Sequence, residues 1–501
     1  MKLSTAIFDK NSSLWSDDPS IQGLIDKRLG WLDSVQFCLE NQVGIETFVK
    51  RVKAAGLQQI VLLGMGGSGL APEVFSKLFS AEGGLQLLVL DSTCTEQILA
   101  FEESLEIDET LFLVSSKSGN TIETWSLFEY FYTKLEMLKG SAAGQQFAAI
   151  TDADSDLEKL AEERQFMHCF INPSDIGGRF SALSYFGLVP AALLGVSLDR
   201  LLASAQQAWH DCHTEDGAGI RLGQWLMQGY HDQQLDKLIL HVPEKLVPLV
   251  WWIEQLVAES LGKQGQGILP VLNIESSSNV PLSNSKHLHI ALGSDQSDFS
   301  DVRKACWGLV DKYAVAAHFF HWEFAVALAG QSLGINPFDE PNVTEAKVRT
   351  RQLLADYPAE AVLPVPEEGA LAEVLPQLLS QASEDSYVSI LAYWPINLNN
   401  DTLLGQFKST IEQQFQVPVT INYGPRYLHS TGQLHKGGKR QGVFIVLTQS
   451  TEPDLAIPNQ NYSFNKLCRA QALGDFQILS EKDLPAIFYS LTDLGQLSLS
   501  M

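Results

Sequence analysis

Residues 115–124 read Ser115-Ser116-Lys117-Ser118-Gly119-Asn120-Thr121-Ile122-Glu123-Thr124. Five hydroxyls, one amide and one lysine fall within these ten positions. A strand-like run, Leu111–Val114, precedes them and a helical stretch follows, which puts the segment at a helix N-terminus. Hydroxyls donate to phosphate oxygens, the helix start adds N–H donors and partial positive charge, and lysine adds a point charge. One Ser or Thr is enough to cap a helix, so this density points to an anion site. GxxxxGK[ST] is absent, which excludes a Walker A loop. A second segment, Gly64-Met65-Gly66-Gly67-Ser68-Gly69, fits GxGxxG, and Asp91 follows at the end of the next strand. Local features of a dinucleotide fingerprint are all present. Glycines at a helix start serve a NAD site, a sugar-phosphate site or a tight structural turn equally well, and this motif alone leaves the three open.

Proton-transfer chemistry has its own candidates. Leu246–Leu261 reads as a helix apolar on almost every side, hence buried. Gln255 and Glu259 share one face, with Trp251 a turn earlier. Burial beside tryptophan disfavours the carboxylate and raises its pKa toward that of a working base. The alternative is an i, i+4 ion pair of Glu259 with Lys263 on a solvated face, which the surrounding Leu, Val and Trp oppose. Arg179, taken alone, reads as a structural arginine pairing with Asp175. His429 has the near-neutral intrinsic pKa suited to a sugar ring oxygen, with His435 as fallback and a hydrogen-bonded loop histidine as the alternative. Lys347 reads either as a site lysine or as a solvated neighbour of Glu345. His318 and His321 belong to an aromatic helix and read as core. No histidine spacing indicates a metal, and no Ser-His-Asp or cysteine nucleophile pattern occurs.

Taken in chain order, these segments resemble the sugar isomerase (SIS) family, and within it the glucose-6-phosphate isomerases. Gly66-Gly67-Ser68 and Ser116–Thr124 are similar to the family's GGS turn and SK[ST] phosphate loop. Gly177-Gly178-Arg179-Phe180-Ser181 resembles its GGR[FY]S motif, and Gln255–Lys263 its QxxxESxGK motif. Phe338-Asp339 with Lys347 resembles FDQxxVExGK, where Glu340 replaces the usual glutamine. The resemblance implies that Ser116, Lys117, Ser118, Thr121 and Thr124 hold a phosphate. It implies that Gly67, Ser68, Gln255 and Glu340 contact the sugar, that Glu259 is the base, and that Arg179 stabilises negative charge on the reacting sugar. It places Lys347 as the active-site lysine. The family's ring-opening histidine normally lies between the glutamate and lysine motifs. Here His429 and His435, in His429-Ser430-Thr431-Gly432-Gln433-Leu434-His435, come after them. That arrangement looks like the isomerase half of bifunctional transaldolase/glucose-6-phosphate isomerases, standing alone.

The implied activity is aldose–ketose isomerisation of a phosphorylated hexose, in glycolysis and gluconeogenesis, with no cofactor and no metal. Mannose 6-phosphate activity, a non-catalytic sugar-phosphate-binding regulator and an NAD-dependent oxidoreductase are the competing readings. Members of the family commonly form homodimers that share histidines; the displaced histidine segment also allows a site completed within one chain.

The elements that must position these residues are strands separated by helices, an α/β pattern of parallel sheets. Two SIS-type αβα units are expected: 1–45 as a peripheral helical segment, 46–195 as the first unit, and 196–501 as the second, with a linker near 363–369. The first series of strands is Gln58–Leu63, Leu85–Leu90, Leu111–Val114 and Phe147–Thr151. The second is Lys237–His241, His287–Leu292, Tyr387–Ala392, Val417–Asn422 and Gly442–Leu447. The 501 residues carry 34 Lys plus Arg against 59 Asp plus Glu, a net charge of -25. So acidic a chain is a poor partner for nucleic acid. No apolar run approaches the ~20 residues of a membrane span. Six dispersed cysteines without a CxxC pair read as reduced thiols of a cytoplasmic protein.

Overall fold

A computed structural model of the chain describes residues 3–80, 83–274, 286–294, 297–309, 311–357, 361, 363–366, 371–449 and 453–497. Thirteen strands among them form three sheets, and every pairing is parallel. The first contains β1 (Gln59–Gly64), β2 (Gln86–Leu90), β3 (Thr110–Ser115), β4 (Phe147–Asp152) and β5 (His168–Asn172), in the order β2-β1-β3-β4-β5. The second contains β6 (Lys237–Val242), β7 (Leu269–Ile274), β8 (Leu288–Ser294) and β9 (Lys304–Gly308), ordered β7-β6-β8-β9. The third contains β10 (Tyr387–Tyr393), β11 (Val419–Tyr423), β12 (Gly442–Gln449) and β13 (Ala486–Leu491), ordered β11-β10-β12-β13. The fold class is thus α/β with parallel sheets, and residues 196–501 carry two sheets where one unit was expected.

All three sheets place their first strand inside, the second to one side, and the third and fourth to the other. The strand order therefore reverses between the first and third strands of each sheet. In the first sheet the GGS turn and the hydroxyl loop leave the carboxyl ends of β1 and β3, the two strands flanking that reversal, which is where open α/β sheets bind ligands. Interior strands such as β3 and β12 are buried at every position, as helices on both faces require.

Four strands escaped the sequence reading: β5, β7, β9 and β13. All four are sheet edges. Part-exposed positions break the apolar run in β5 and β9, and β7 carries Pro270, which an edge tolerates. The N-terminal segment also differs from expectation. It forms short helical turns up to Asp33 and then the long helix Ser34–Ala54, and Ile25, Leu29, Trp31 and Leu32 are buried while Leu24 is exposed. Trp31 packs its ring 5.4 Å from Phe180 and 5.7 Å from Phe320, so this segment supports the Arg179 turn from behind. Of the expected linker, residues 367–369 lie outside the described residues. The six cysteines form no disulfide. No helix among the described residues is long and apolar enough to cross a membrane.

The three sheets share core. One apolar cluster runs from the N-terminal segment through the first sheet to the second, and another joins the opposite face of the first sheet to the third. Buried charge also lies among the elements around the third sheet. Lys436 donates to Asp475 at 2.5 Å with both side chains wholly buried, and the Tyr427 hydroxyl donates to the same carboxylate at 2.8 Å. Removing one member of such a pair strands the other in low dielectric. Lys436→Met should therefore cost about 3–5 kcal/mol in urea unfolding, and Lys436→Met with Asp475→Leu should recover most of it. A single-variant loss near zero would mean the pair contributes nothing net.

Candidate active site

The two glycine motifs meet each other. Gly66 has φ +55, and a Cβ there would lie 2.8 Å from Gln255 Nε2 and 2.9 Å from the His429 carbonyl oxygen. A Cβ on Gly67 would lie 2.0 Å from the Gly178 carbonyl oxygen. The glycines thus permit close approach of three chain segments: the turn after β1, the Gly177–Ser181 turn and the His429 loop. Asp91, the acidic residue of the apparent dinucleotide fingerprint, accepts from Arg426 Nε at 2.5 Å. Arg426 also pairs with Glu73 and lies over the Trp251 ring.

The hydroxyl loop leads into the helix Ile122–Lys139, with Thr121 at the N-cap position making no side-chain cap hydrogen bond. Its turn uses Gly119 at φ +68, with the Trp125 indole donating to the Gly119 carbonyl at 2.7 Å. Ser116 and Thr121 hydroxyls pair at 3.0 Å, and Ser118 donates to the Asn120 side-chain oxygen at 2.8 Å. The Thr124 hydroxyl is buried without a partner among the described residues. Lys117 pairs with Asp152 and donates to the Ser174 carbonyl at 2.8 Å. Burial lowers the Lys117 pKa, and the attraction of Asp152 only partly opposes it.

Glu259 lies near the end of the buried helix Val247–Leu261. Burial pushes its carboxyl up to about 7; Arg179 pulls against that shift and Glu340 adds to it. Arg179 itself is 3% exposed and fully engaged. Nε donates to Ser260 Oγ at 2.7 Å, and Nη2 to the carbonyls of Pro337 at 2.7 Å and Asp339 at 2.9 Å. Nη1 donates to Glu340 at 3.0 Å and stands 3.6 Å from Glu259. The pairing with Asp175 considered for Arg179 does not form. Nor does Lys263 pair with Glu259: it donates to the Asp339 carboxylate at 2.7 Å, and burial pushes its pKa down to about 8. Gln255 donates to Glu259 at 3.3 Å and to the His429 carbonyl at 2.7 Å, linking base and histidine loop.

His429 follows β11 and reaches across to the first sheet's helix, where its Nε2 lies 2.9 Å from Glu123. Burial raises the Glu123 pKa, but the charge and hydrogen bond of His429 outweigh it and hold the carboxyl below its ordinary value. Gln471 donates to the same oxygen at 2.7 Å. Lys347, on the helix Pro341–Asp356, lines a cleft with His429, Glu123, Asn120 and Thr121. His435 is elsewhere: it packs among Tyr387, Tyr427 and Phe444, and burial drives its pKa well below the ordinary value.

The geometry therefore brings together Glu259, Arg179, Gln255, Glu340, Gly67 and, across one cleft, Lys347, His429 and Thr121. It turns the Lys117 ammonium to Asp152. Glu123 went unassigned in the sequence although it lies inside the hydroxyl motif, and only its partner 306 positions away identifies it. Gln471 and Arg426 carry no local signal at all.

The family described as phosphoglucose isomerase matches residues 41–277. The matched residues make up a little under half of the chain. The matched span holds the hydroxyl loop, Arg179 and Glu259; Lys347 and His429 lie beyond it. The glucose-6-phosphate isomerase of Campylobacter jejuni is 27% identical over 410 residues, covering 69% of this chain and 94% of that one. A glucose-6-phosphate isomerase from Thermus thermophilus is 28% identical over 380 residues, covering 65% and 90%. Among solved structures, a hypothetical protein from Thermus thermophilus superposes with a TM-score of 0.62 at 24% identity, covering 70% of this chain and 95% of that one. The chain carries glutamate at 340, and its charge beside Glu259 has a testable effect. Removing it lowers the Glu259 pKa, directly and by releasing Arg179 toward Glu259. Glu340→Gln should shift the acid limb of the pH–kcat/KM profile down by roughly 0.5–1 unit. An unmoved limb, or one displaced upward, would show that Glu340 does not act on the base.

Proposed function

We propose that this chain interconverts glucose 6-phosphate and fructose 6-phosphate through an enediolate. The observation that carries the reading is Glu259: a buried carboxyl near neutrality, 3.6 Å from a guanidinium whose other contacts fix it in place. A base of this kind removes a proton beside a carbonyl, and the arginine offsets the charge that then develops on oxygen.

In this reading the substrate phosphate lies against Ser116, Ser118 and Thr121 at the helix start. His429, oriented by Glu123 and assisted by Lys347, moves a proton to and from the ring oxygen and opens the ring. Glu259 takes the C2 proton of the open aldose and returns it at C1. The hydroxyl and carbonyl oxygens exchange one proton, so no electrons leave the substrate and no redox partner is needed. Gln255 supports the reading because it holds the base and the histidine loop in one hydrogen-bonded unit.

Ring opening and proton transfer separate experimentally. Anomer exchange of glucose 6-phosphate, followed by NMR, needs only the first. Glu259→Gln should lose isomerisation by about 10²–10⁴-fold while retaining sugar-phosphate binding and anomer exchange. His429→Ala should lose both. Near-normal isomerisation by Glu259→Gln would remove Glu259 from the mechanism, and intact anomer exchange in His429→Ala would remove the histidine. Running mannose 6-phosphate beside fructose 6-phosphate in the same assay defines the substrate range.

A further inference from the structure

The anion loop lacks an available cation of its own. Lys117 is the one lysine in the loop, and its ammonium is committed to Asp152 and to the Ser174 carbonyl. A phosphate dianion seated on hydroxyls and amides alone would draw no countercharge from the loop itself, in a protein of net charge -25. Across the cleft from Asn120 and Thr121 stands Arg351, on the same helix face as Lys347 and one turn beyond it. No carboxylate or carbonyl among the described residues takes its guanidinium, whereas Arg349, two positions earlier, is committed to Glu481.

The helix Pro341–Asp356 also gives the cleft a direction. Its first residues adjoin Glu340 and Arg179, where proton transfer takes place in the reading above. Lys347 is reached next and Arg351 last along the helix, and both line the cleft with His429, Glu123, Asn120 and Thr121. A sugar phosphate lying along this helix, reacting carbons at its start, brings its phosphate to Arg351.

We propose that Arg351 is the cationic ligand of the substrate phosphate, closing the anion site from the side opposite the hydroxyl loop. The proposal rests on the isomerase reading for the identity of the substrate. A guanidinium offers two parallel N–H donors to phosphate oxygens, which matches a tetrahedral dianion better than a lysine point charge does.

The test uses the full chain with Arg351→Met and Arg351→Lys, thermal melting as the check on folding, fructose 6-phosphate kinetics, and inorganic phosphate as competitive inhibitor. Loss of a charge-assisted contact predicts that Arg351→Met raises KM and the phosphate Ki together, each by roughly 10- to 100-fold, with kcat changed little. Arg351→Lys should fall between wild type and Arg351→Met. Unchanged KM and Ki in a folded Arg351→Met protein would overturn the proposal, as would a fall in kcat with both constants unmoved. Should Arg351→Met fail to fold, Arg351→Lys decides by the same criterion. Absence of turnover in the wild type would sink the isomerase reading instead; titration of wild type and variants with inorganic phosphate by calorimetry would still decide the role of Arg351.

Discussion

Arg179 is the contact on which the rest of the site depends. A guanidinium has donors in a fixed plane, and here they are spent on the Ser260 hydroxyl, the Pro337 and Asp339 carbonyls and the Glu340 carboxylate. Three stretches of chain are thereby placed relative to one another: the turn after β5, the Glu259 helix, and the entry to the Lys347 helix. The charge needs this many acceptors because it is buried, and a buried arginine without them would be untenable. Its proximity to Glu259 is a by-product of that placement. The same cation that organises the segments opposes the burial that raises the base, and the carboxyl settles at about 7.

The third sheet is attached by charges of the same kind. Arg426 fastens the loop after β11 to Glu73 and Asp91 of the first unit, and Lys237 bridges Asp236 to the Asp385 carbonyl and Gln441. Gly66, by lacking a side chain, lets the His429 carbonyl reach Gln255. Three residues after Arg426 the chain delivers His429 to Glu123. An acidic surface and a locally cationic cleft coexist without conflict, because exposed charge is screened beyond about 10 Å while these pairs are not.

What was legible in the sequence follows burial. Interior strands announce themselves because both faces are covered; β5, β7, β9 and β13 are edges with part-exposed positions and do not, although the edges β2 and β11 were legible. Glu259 was readable as a buried carboxyl with a raised pKa since its whole helix is apolar. Arg179 was not readable alone, and its role emerges from carbonyls at 337 and 339 that no local pattern connects to it. Asp91 misled in a specific way: a GxGxxG turn followed by an acidic residue describes a sheet end as well as a nucleotide site, and here the acid answers Arg426. Lys117 shows the converse, a residue of the right type in the right motif whose ammonium a neighbouring strand end claims. Long-range pairs such as Glu123 with His429 lie beyond any window of sequence.

The path of the chain from β11 to Glu123 carries a consequence of its own. The hydroxyl loop, Arg179, Glu259, Lys347 and His429 all belong to one polypeptide. The local concentration of His429 at Glu123 is therefore set by chain connectivity and does not depend on how much protein is present. The pairing of His429 with Glu123 forms as the chain folds. Any change that loosens the third sheet therefore withdraws His429 from Glu123 while leaving the contacts of Arg179 with Glu259 and Glu340 in place.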